Sequence, residues 1–155
     1  MSASSLAGRR AIVITISDRC FAGTQTDLSG PAVAALLAGS GMAVLNTVVL
    51  PDDQPAIEAG LREAAGRAAL IVTTGGTGLA PRDVTPEATL SVCDRLVPGL
   101  AEKMRQEGQK HTPFAALGRG VCGVCGSALV LNLPGSPAGA ETSLFAVLPL
   151  LAHAL

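Results

Sequence analysis

The stretch Thr73-Thr74-Gly75-Gly76-Thr77-Gly78-Leu79-Ala80-Pro81-Arg82-Asp83 gathers three glycines, one arginine and one aspartate. It follows Ala69-Leu70-Ile71-Val72, an apolar, β-branched run that reads as a buried strand. It precedes Thr85-Pro86, which reads as a hydroxyl cap with proline at the first helical position. Glycines at a strand's end let the backbone turn tightly and bring N–H groups close to a ligand. A helix starting there directs the positive end of its dipole at the same space. The combination suits a phosphate, with Arg82 as its cation and Asp83 as a ligand for its metal. It is not a P-loop, because no Lys-Ser or Lys-Thr follows the glycines. As a dinucleotide fingerprint it is broken at Pro81, where a third small residue belongs. The plain alternative is a glycine-rich turn with no ligand.

Other carboxylates fall at comparable places: Asp18 and Asp27 in the polar loop 17–30, and Asp52 and Asp53 after a strand ending at Leu50. Arg19 joins Arg82 as a second cation. No histidine and no activated serine or cysteine accompanies them. Carboxylates, arginine and backbone N–H donors are what metal-assisted phosphoryl or nucleotidyl transfer uses, since the protein there positions groups and neutralises charge. Aspartates also gather at helix starts simply as caps, and for Asp18 and Asp53 that reading stays open.

The elements that must hold these residues alternate between strand and helix. Strands are expected over 10–16, 43–50 and 69–73, with two adjacent ones over 118–125 and 127–133, the first of which can run antiparallel. Helices are expected over 31–38, 55–67 (with Ile57, Leu61 and Ala64 as its buried stripe), 85–96, 99–108 and 137–155. The pattern predicts an α/β fold of three α/β/α layers around a mostly parallel sheet. Residues 1–9 read as a flexible tail and 10–155 as a single domain. Right-handed crossovers put the strand-to-helix loops at one edge, where ligands of such folds bind. Loops 17–30, 51–54, 75–83 and 134–136 therefore share one rim. Gly30-Pro31, Thr85-Pro86 and Ser136-Pro137 each read as a cap followed by proline, so three helix starts face one cleft.

Composition narrows the function further. The chain has 155 residues, 48% of them hydrophobic and only 15% charged, with a formal net charge of −1. Such apolar content predicts surface buried between subunits. Near-neutral charge gives no electrostatic footprint for nucleic acid, and no Trp, no Tyr and three Phe leave no platform for base stacking. No secretory signal and no membrane span is visible, and the terminal run 144–155, carrying Pro149, reads as a buried helix. A cytoplasmic protein is expected. Cys122-Gly-Val-Cys125 has redox or half-zinc spacing but lacks a second pair, so inert apolar thiols are expected. His111 and His153 read as structural or surface residues.

Taken together, Thr73-Thr74-Gly75-Gly76-Thr77-Gly78, then Pro81-Arg82-Asp83-Val84-Thr85-Pro86-Glu87-Ala88-Thr89, then Leu131-Asn132-Leu133-Pro134-Gly135-Ser136-Pro137 resemble the MoaB/Mog family of molybdenum-cofactor biosynthesis. Ser17-Asp18-Arg19, Asp27-Leu28-Ser29-Gly30-Pro31 and Pro51-Asp52-Asp53 follow in that family's order, and the likeness runs from Arg10 onward. It implies molybdopterin adenylyltransferase activity: the terminal phosphate of molybdopterin attacks the α-phosphorus of ATP, with Mg²⁺, giving adenylylated molybdopterin and pyrophosphate. It implies Asp52 and Asp83 as catalytic and metal-holding aspartates. Ser17, Asp27, Ser29, Gly30, Thr74, Gly75, Gly76, Gly78, Arg82, Pro134, Gly135 and Ser136 match binding positions around the cleft. It further implies a homotrimer or hexamer, with other molybdenum-cofactor biosynthesis proteins as partners. The sequence stops at Leu155 without the extra C-terminal segment of some transferase members. A non-catalytic molybdopterin carrier is therefore the alternative, and a nicotinamide oxidoreductase a distant third.

Overall fold

The computed structural model describes residues 5–155. Six strands form one sheet in the order β2-β1-β3-β6-β5-β4. These are β1 (Arg10–Ile16), β2 (Ala43–Leu50), β3 (Leu70–Thr74), β4 (Arg95–Leu96), β5 (Cys122–Cys125) and β6 (Ala128–Leu133). The first four in that order run parallel, and β5 pairs antiparallel with both β6 and β4. One strand is therefore reversed, as the 118–125 segment allowed, although β5 starts only at Cys122.

The helices are α1 (Asp18–Ala22), α2 (Ser29–Gly39), α3 (Gln54–Ala65), α4 (Thr85–Val92), α5 (Pro98–Gln109) and α6 (Pro137–Ala154). Side chains alternate across the sheet with period two, which divides the core. Ala11, Val13, Leu70, Val72, Leu129 and Leu131 pack with residues of α2, α5 and α6 such as Leu37, Met104 and Leu144. Ile12, Ile14, Ile16, Ile71 and Val130 face Ile57, Leu61 and Ala88 of α3 and α4. That is the three-layer α/β/α arrangement, with β1, β3 and β6 buried on both faces.

Several boundaries depart from the sequence reading, each for a local reason. The helix expected over 85–96 stops at Val92, because Arg95 and Leu96 pair with Val124 and Gly123 as β4. α5 opens at Pro98, one residue before the expected start, since the missing proline N–H costs nothing at the first turn. Loop 17–30 contains the short helix α1, capped by Ser17, whose hydroxyl accepts from the Cys20 N–H. α6 is buried on one face only: Leu144, Val147 and Leu151 are enclosed, while Phe145 is 64% exposed. Of the tail expected over 1–9, residues 1–4 lie outside the described chain. Gly8 donates to the Gly41 carbonyl and Arg9 to that of Leu155, so this part is tied down. No helix among the described residues is long and apolar enough to cross a membrane.

Cys122 and Cys125 are three apart on one strand and so point to opposite faces, one into each half of the core. They cannot chelate one ion together. Burial pushes the Cys122 thiol up to about 12 and that of Cys93 to about 11. All four cysteines are unpaired thiols.

Asn132 is the polar pin of this core. Only 2% exposed, its Nδ2 donates to Thr73 Oγ1 and Thr89 Oγ1, each at 3.0 Å, and its Oδ1 accepts from the Val121 N–H at 3.1 Å. It thereby joins β3, α4 and the start of β5 to β6. Replacing Asn132 by leucine strands the Val121 N–H in an apolar site. This should cost about 2–4 kcal/mol, read as a lower urea midpoint at unchanged slope.

Candidate active site

The parallel strands end level. Ile16 is opposite Leu50, Thr15 opposite Thr74, and Thr74 opposite Leu133. The ladder runs one step further, as the Ser17 N–H donates to the Leu50 carbonyl and the Gly75 N–H to that of Leu133. Loops 17–28, 51–53, 75–84 and 134–136 thus leave the sheet at one edge.

These loops are laced to one another. The Asp18 N–H donates to Asp52 Oδ2 at 2.9 Å, and the Asp52 N–H donates to Asp18 Oδ1 at 3.0 Å. Arg82 reaches across to Asp18, Nε to Oδ2 at 2.5 Å and Nη2 to Oδ1 at 3.0 Å. Farther along, Thr15 Oγ1 donates to Asp27 Oδ2 at 2.7 Å, and the Gly30 N–H donates to Asp27 Oδ1 at 3.0 Å. Ser29 and Thr74 share a buried hydroxyl–hydroxyl bond of 2.9 Å.

Between them lies a cleft of about 270 Å³, lined by Ser17, Asp27, Ser29, Asp52, Thr74, Gly75, Gly76, Asp83 and Gly135 among others. Asp52 and Asp83 therefore face one space. Of the other expected residues, Gly30 backs Asp27, Gly78 lies against the Asp83 carboxylate, and Arg82 is paired with Asp18. Pro134 and Ser136 line a larger cavity of about 420 Å³ across the 134–137 turn, walled by Thr77, Met104 and Phe114. That cavity has no carboxylate in its lining, so the smaller cleft is the chemical one.

Gly75 and Gly76 turn the chain with successive positive φ of 90° and 68°. A Cβ on Gly75 would overlap the Ile16 carbonyl oxygen, and one on Gly76 would overlap the Thr85 hydroxyl. Thr85 is where the sequence reading differs. It is not a cap but the first residue of α4, and its hydroxyl donates to the Gly75 carbonyl at 2.9 Å while its N–H donates to that of Gly76 at 3.1 Å. The glycine turn is therefore clamped from both sides. Gly30 is not a cap either: α2 begins at Ser29, after Leu28, with no side-chain cap bond. Only Ser136 caps as expected, accepting from the Gly139 N–H. Asp53 is a plain cap for α3, accepting from the Ala56 N–H. Thr15 carried no motif signal beyond lying at a strand end, and Thr85 was legible as a motif residue but with a cap role rather than a carbonyl clamp.

The carboxylates differ electrically. The Arg82 hydrogen bond, helped by the Asp52 N–H, holds the Asp18 carboxyl below its ordinary value. Burial pushes Asp52 the other way; the charges of Asp18 and Asp83 add to that, and the Asp18 N–H opposes it. Asp52 and Asp83 thus form a pocket of excess negative charge. No cluster of three or more His, Cys, Asp or Glu that could hold a metal exists among the described residues. A cation would have to take its remaining ligands from a substrate. That matches Mg²⁺, which is held through one or two carboxylates plus phosphate oxygens and water rather than by a protein cage.

Residues 12–153 match the family described as a probable molybdopterin binding domain, and the chain belongs to it. Among curated relatives, it is 42% identical to the molybdopterin adenylyltransferases of Haemophilus influenzae and Escherichia coli K12, over 85% of this chain and 69% and 70% of theirs. It is 42% identical to the molybdenum cofactor synthesis protein cinnamon of Drosophila melanogaster, of whose length it spans only 24%. The molybdopterin biosynthesis enzyme MoaB of Thermus thermophilus superposes with a TM-score of 0.89 at 53% identity, covering 94% of this chain and 93% of that one. The tungsten cofactor synthesizing MoaB of Pyrococcus furiosus does so with a TM-score of 0.87 at 29% identity, covering 95% and 94%.

Two predictions test this geometry. Gly76→Ala should destabilise the fold by about 2 kcal/mol or more, from the left-handed backbone and the clash with Thr85 together. Gly126→Ala, at a φ of 61° with no atom within 4 Å of its Cβ, should lose only the backbone part, about 1 kcal/mol. Asp52→Asn tests the electrostatics. The folded chain holds the Asp52 proton more tightly than the unfolded chain, so stability falls as pH rises from the ordinary aspartate value of 3.8 through the raised one. The Asn variant should therefore have a higher urea midpoint than the parent at neutral pH, and the gap should close on acidification.

Proposed function

We propose that the chain is a molybdopterin adenylyltransferase that moves AMP from ATP to the terminal phosphate of molybdopterin. The observation that carries this reading is the meeting of Asp52 and Asp83 in one cleft with the clamped Gly75-Gly76 turn. The relatives' names support it.

In the reaction, an oxygen of the molybdopterin phosphate forms a bond to the α-phosphorus of ATP. The bond between that phosphorus and the bridging oxygen breaks, and pyrophosphate leaves with the electron pair. The site offers placement and charge rather than a covalent nucleophile. The N–H group of Gly76, which lines the cleft, donates to no partner among the described residues, so it serves as a donor to a phosphate oxygen. Ser17 and Ser29 at helix starts supply further polar contacts. Asp52 and Asp83 would hold Mg²⁺, which when bound would offset charge on the phosphates. Arg82, already fixed on Asp18, keeps the acidic loops from repelling one another.

The working unit in this reading is a cytoplasmic homotrimer or hexamer that receives molybdopterin from, and passes its product to, other proteins of cofactor biosynthesis. Phe114, Leu79 and Phe145, exposed by 74, 67 and 64%, are the surface that such assembly would cover.

Incubating the protein with molybdopterin, Mg²⁺ and α-labelled ATP should place the label on the pterin. Asp83→Asn should lower that transfer by about 10²–10⁴-fold while molybdopterin binding persists. Binding without any transfer by the parent protein would instead identify a carrier.

A further inference from the structure

Arg119 lies outside all the motifs above, between the 3₁₀ turn Pro113–Leu117 and β5. Its contacts nevertheless converge on one loop. Its backbone N–H donates to the Thr77 carbonyl at 2.9 Å. Its Nε donates to the Gly78 carbonyl and its Nη2 to the Asp83 carbonyl, each at 2.8 Å. Nη1 and Nη2 also reach the Glu87 carboxylate, at 2.8 and 3.2 Å. One planar guanidinium therefore bridges the two ends of segment 78–83 and ties it to the first turn of α4. Arginine suits this because its donors are fixed in a fork, whereas a lysine ammonium is a single point.

The clamp has its own anchor. Arg105 on α5 donates to the carbonyls of Gly118 and Gly120, the residues on either side of Arg119. Asn132 on β6 accepts from the Val121 N–H. The backbone bearing Arg119 is thus held against the sheet while its side chain grips the loop. Within the gripped segment, the Asp83 carboxylate folds back to accept from the Ala80 N–H at 3.0 Å. An ion pair as open as Arg119–Glu87, whose side chains are 36% and 42% exposed, contributes little alone. The carbonyl contacts are what give Arg119 leverage over Asp83.

We propose that Arg119 is the positioning residue for Asp83, bridging the Gly78 and Asp83 carbonyls so that the carboxylate faces the cleft. The kinetic half of this inference rests on the transferase reading; the structural half does not.

The test uses the full chain with Arg119→Met, Arg119→Lys and Glu87→Gln. Adenylyl transfer and amide hydrogen exchange are measured on each. Arg119→Met should lower kcat by about 10–100-fold, the scale expected when a reacting group is misplaced by an ångström, with a much smaller change in KM. Arg119→Lys should remain impaired, and Glu87→Gln, which leaves the carbonyl bridge intact, should stay close to the parent. Exchange should quicken within 78–83 in Arg119→Met and stay unchanged in β1 and β3. Full activity in Arg119→Lys, or a loss in Glu87→Gln as deep as in Arg119→Met, would reduce Arg119 to a charge partner and overturn the proposal. So would exchange accelerated across the whole sheet, which marks a general brace. If the parent transfers no label, the transferase reading fails, and quickening confined to 78–83 still upholds the clamp.

Discussion

Four parallel strands that stop level with one another are the constraint on which the site depends. In a parallel ladder each strand's hydrogen bonds set the height of its neighbour. The pairing of Ile16 with Leu50, and of Thr74 with both Thr15 and Leu133, brings four loops to the same plane. A shift of one residue in the β1–β3 or β3–β6 pairing would swap the two halves of the core across the sheet, so apolar burial enforces the alignment of these three strands. A cleft that draws Asp52 from one loop and Asp83 from another depends on that alignment.

Rigid strands alone do not place side chains, and here neutral and charged hydrogen bonds finish the work. Asp18 and Asp52 exchange backbone donors, and Arg82 closes the group from a third loop. The arrangement sets the two acids apart. Asp18 is spent on structure, its charge compensated by arginine. Asp52, partly buried and flanked by like charges, keeps an uncompensated tension. Stability given up at such a group is a common accompaniment of functional sites. The thiols follow the opposite logic, since burial on separate faces keeps Cys122 and Cys125 protonated and apart.

Much of this was legible in the sequence because periodicity and glycine placement are local signals. β1 and β2 fall at their expected bounds, and the Ile57, Leu61, Ala64 stripe is buried as its spacing requires. The Gly75-Gly76 turn and the Ser136 cap were readable for the same reason. What escaped depends on contacts distant in the chain. β4 is two residues long and exists only through pairing with β5. Thr85 looked like a cap because hydroxyl-then-proline is a cap pattern; its hydroxyl instead serves a carbonyl ten residues back. Arg82 looked available to a phosphate, and only the fold reveals Asp18 beside it. Arg119 reaches Asp83, and Asn132 reaches Thr89, across more than thirty residues of sequence, which no short pattern records.

The bond from Arg9 to the carbonyl of Leu155 brings the first and last stretches of the described residues together. A unit whose ends are neighbours can be spliced into, or strung along, a longer polypeptide without disturbing its own interior. The same body can then serve as a free-standing protein or as one module of a multi-part chain.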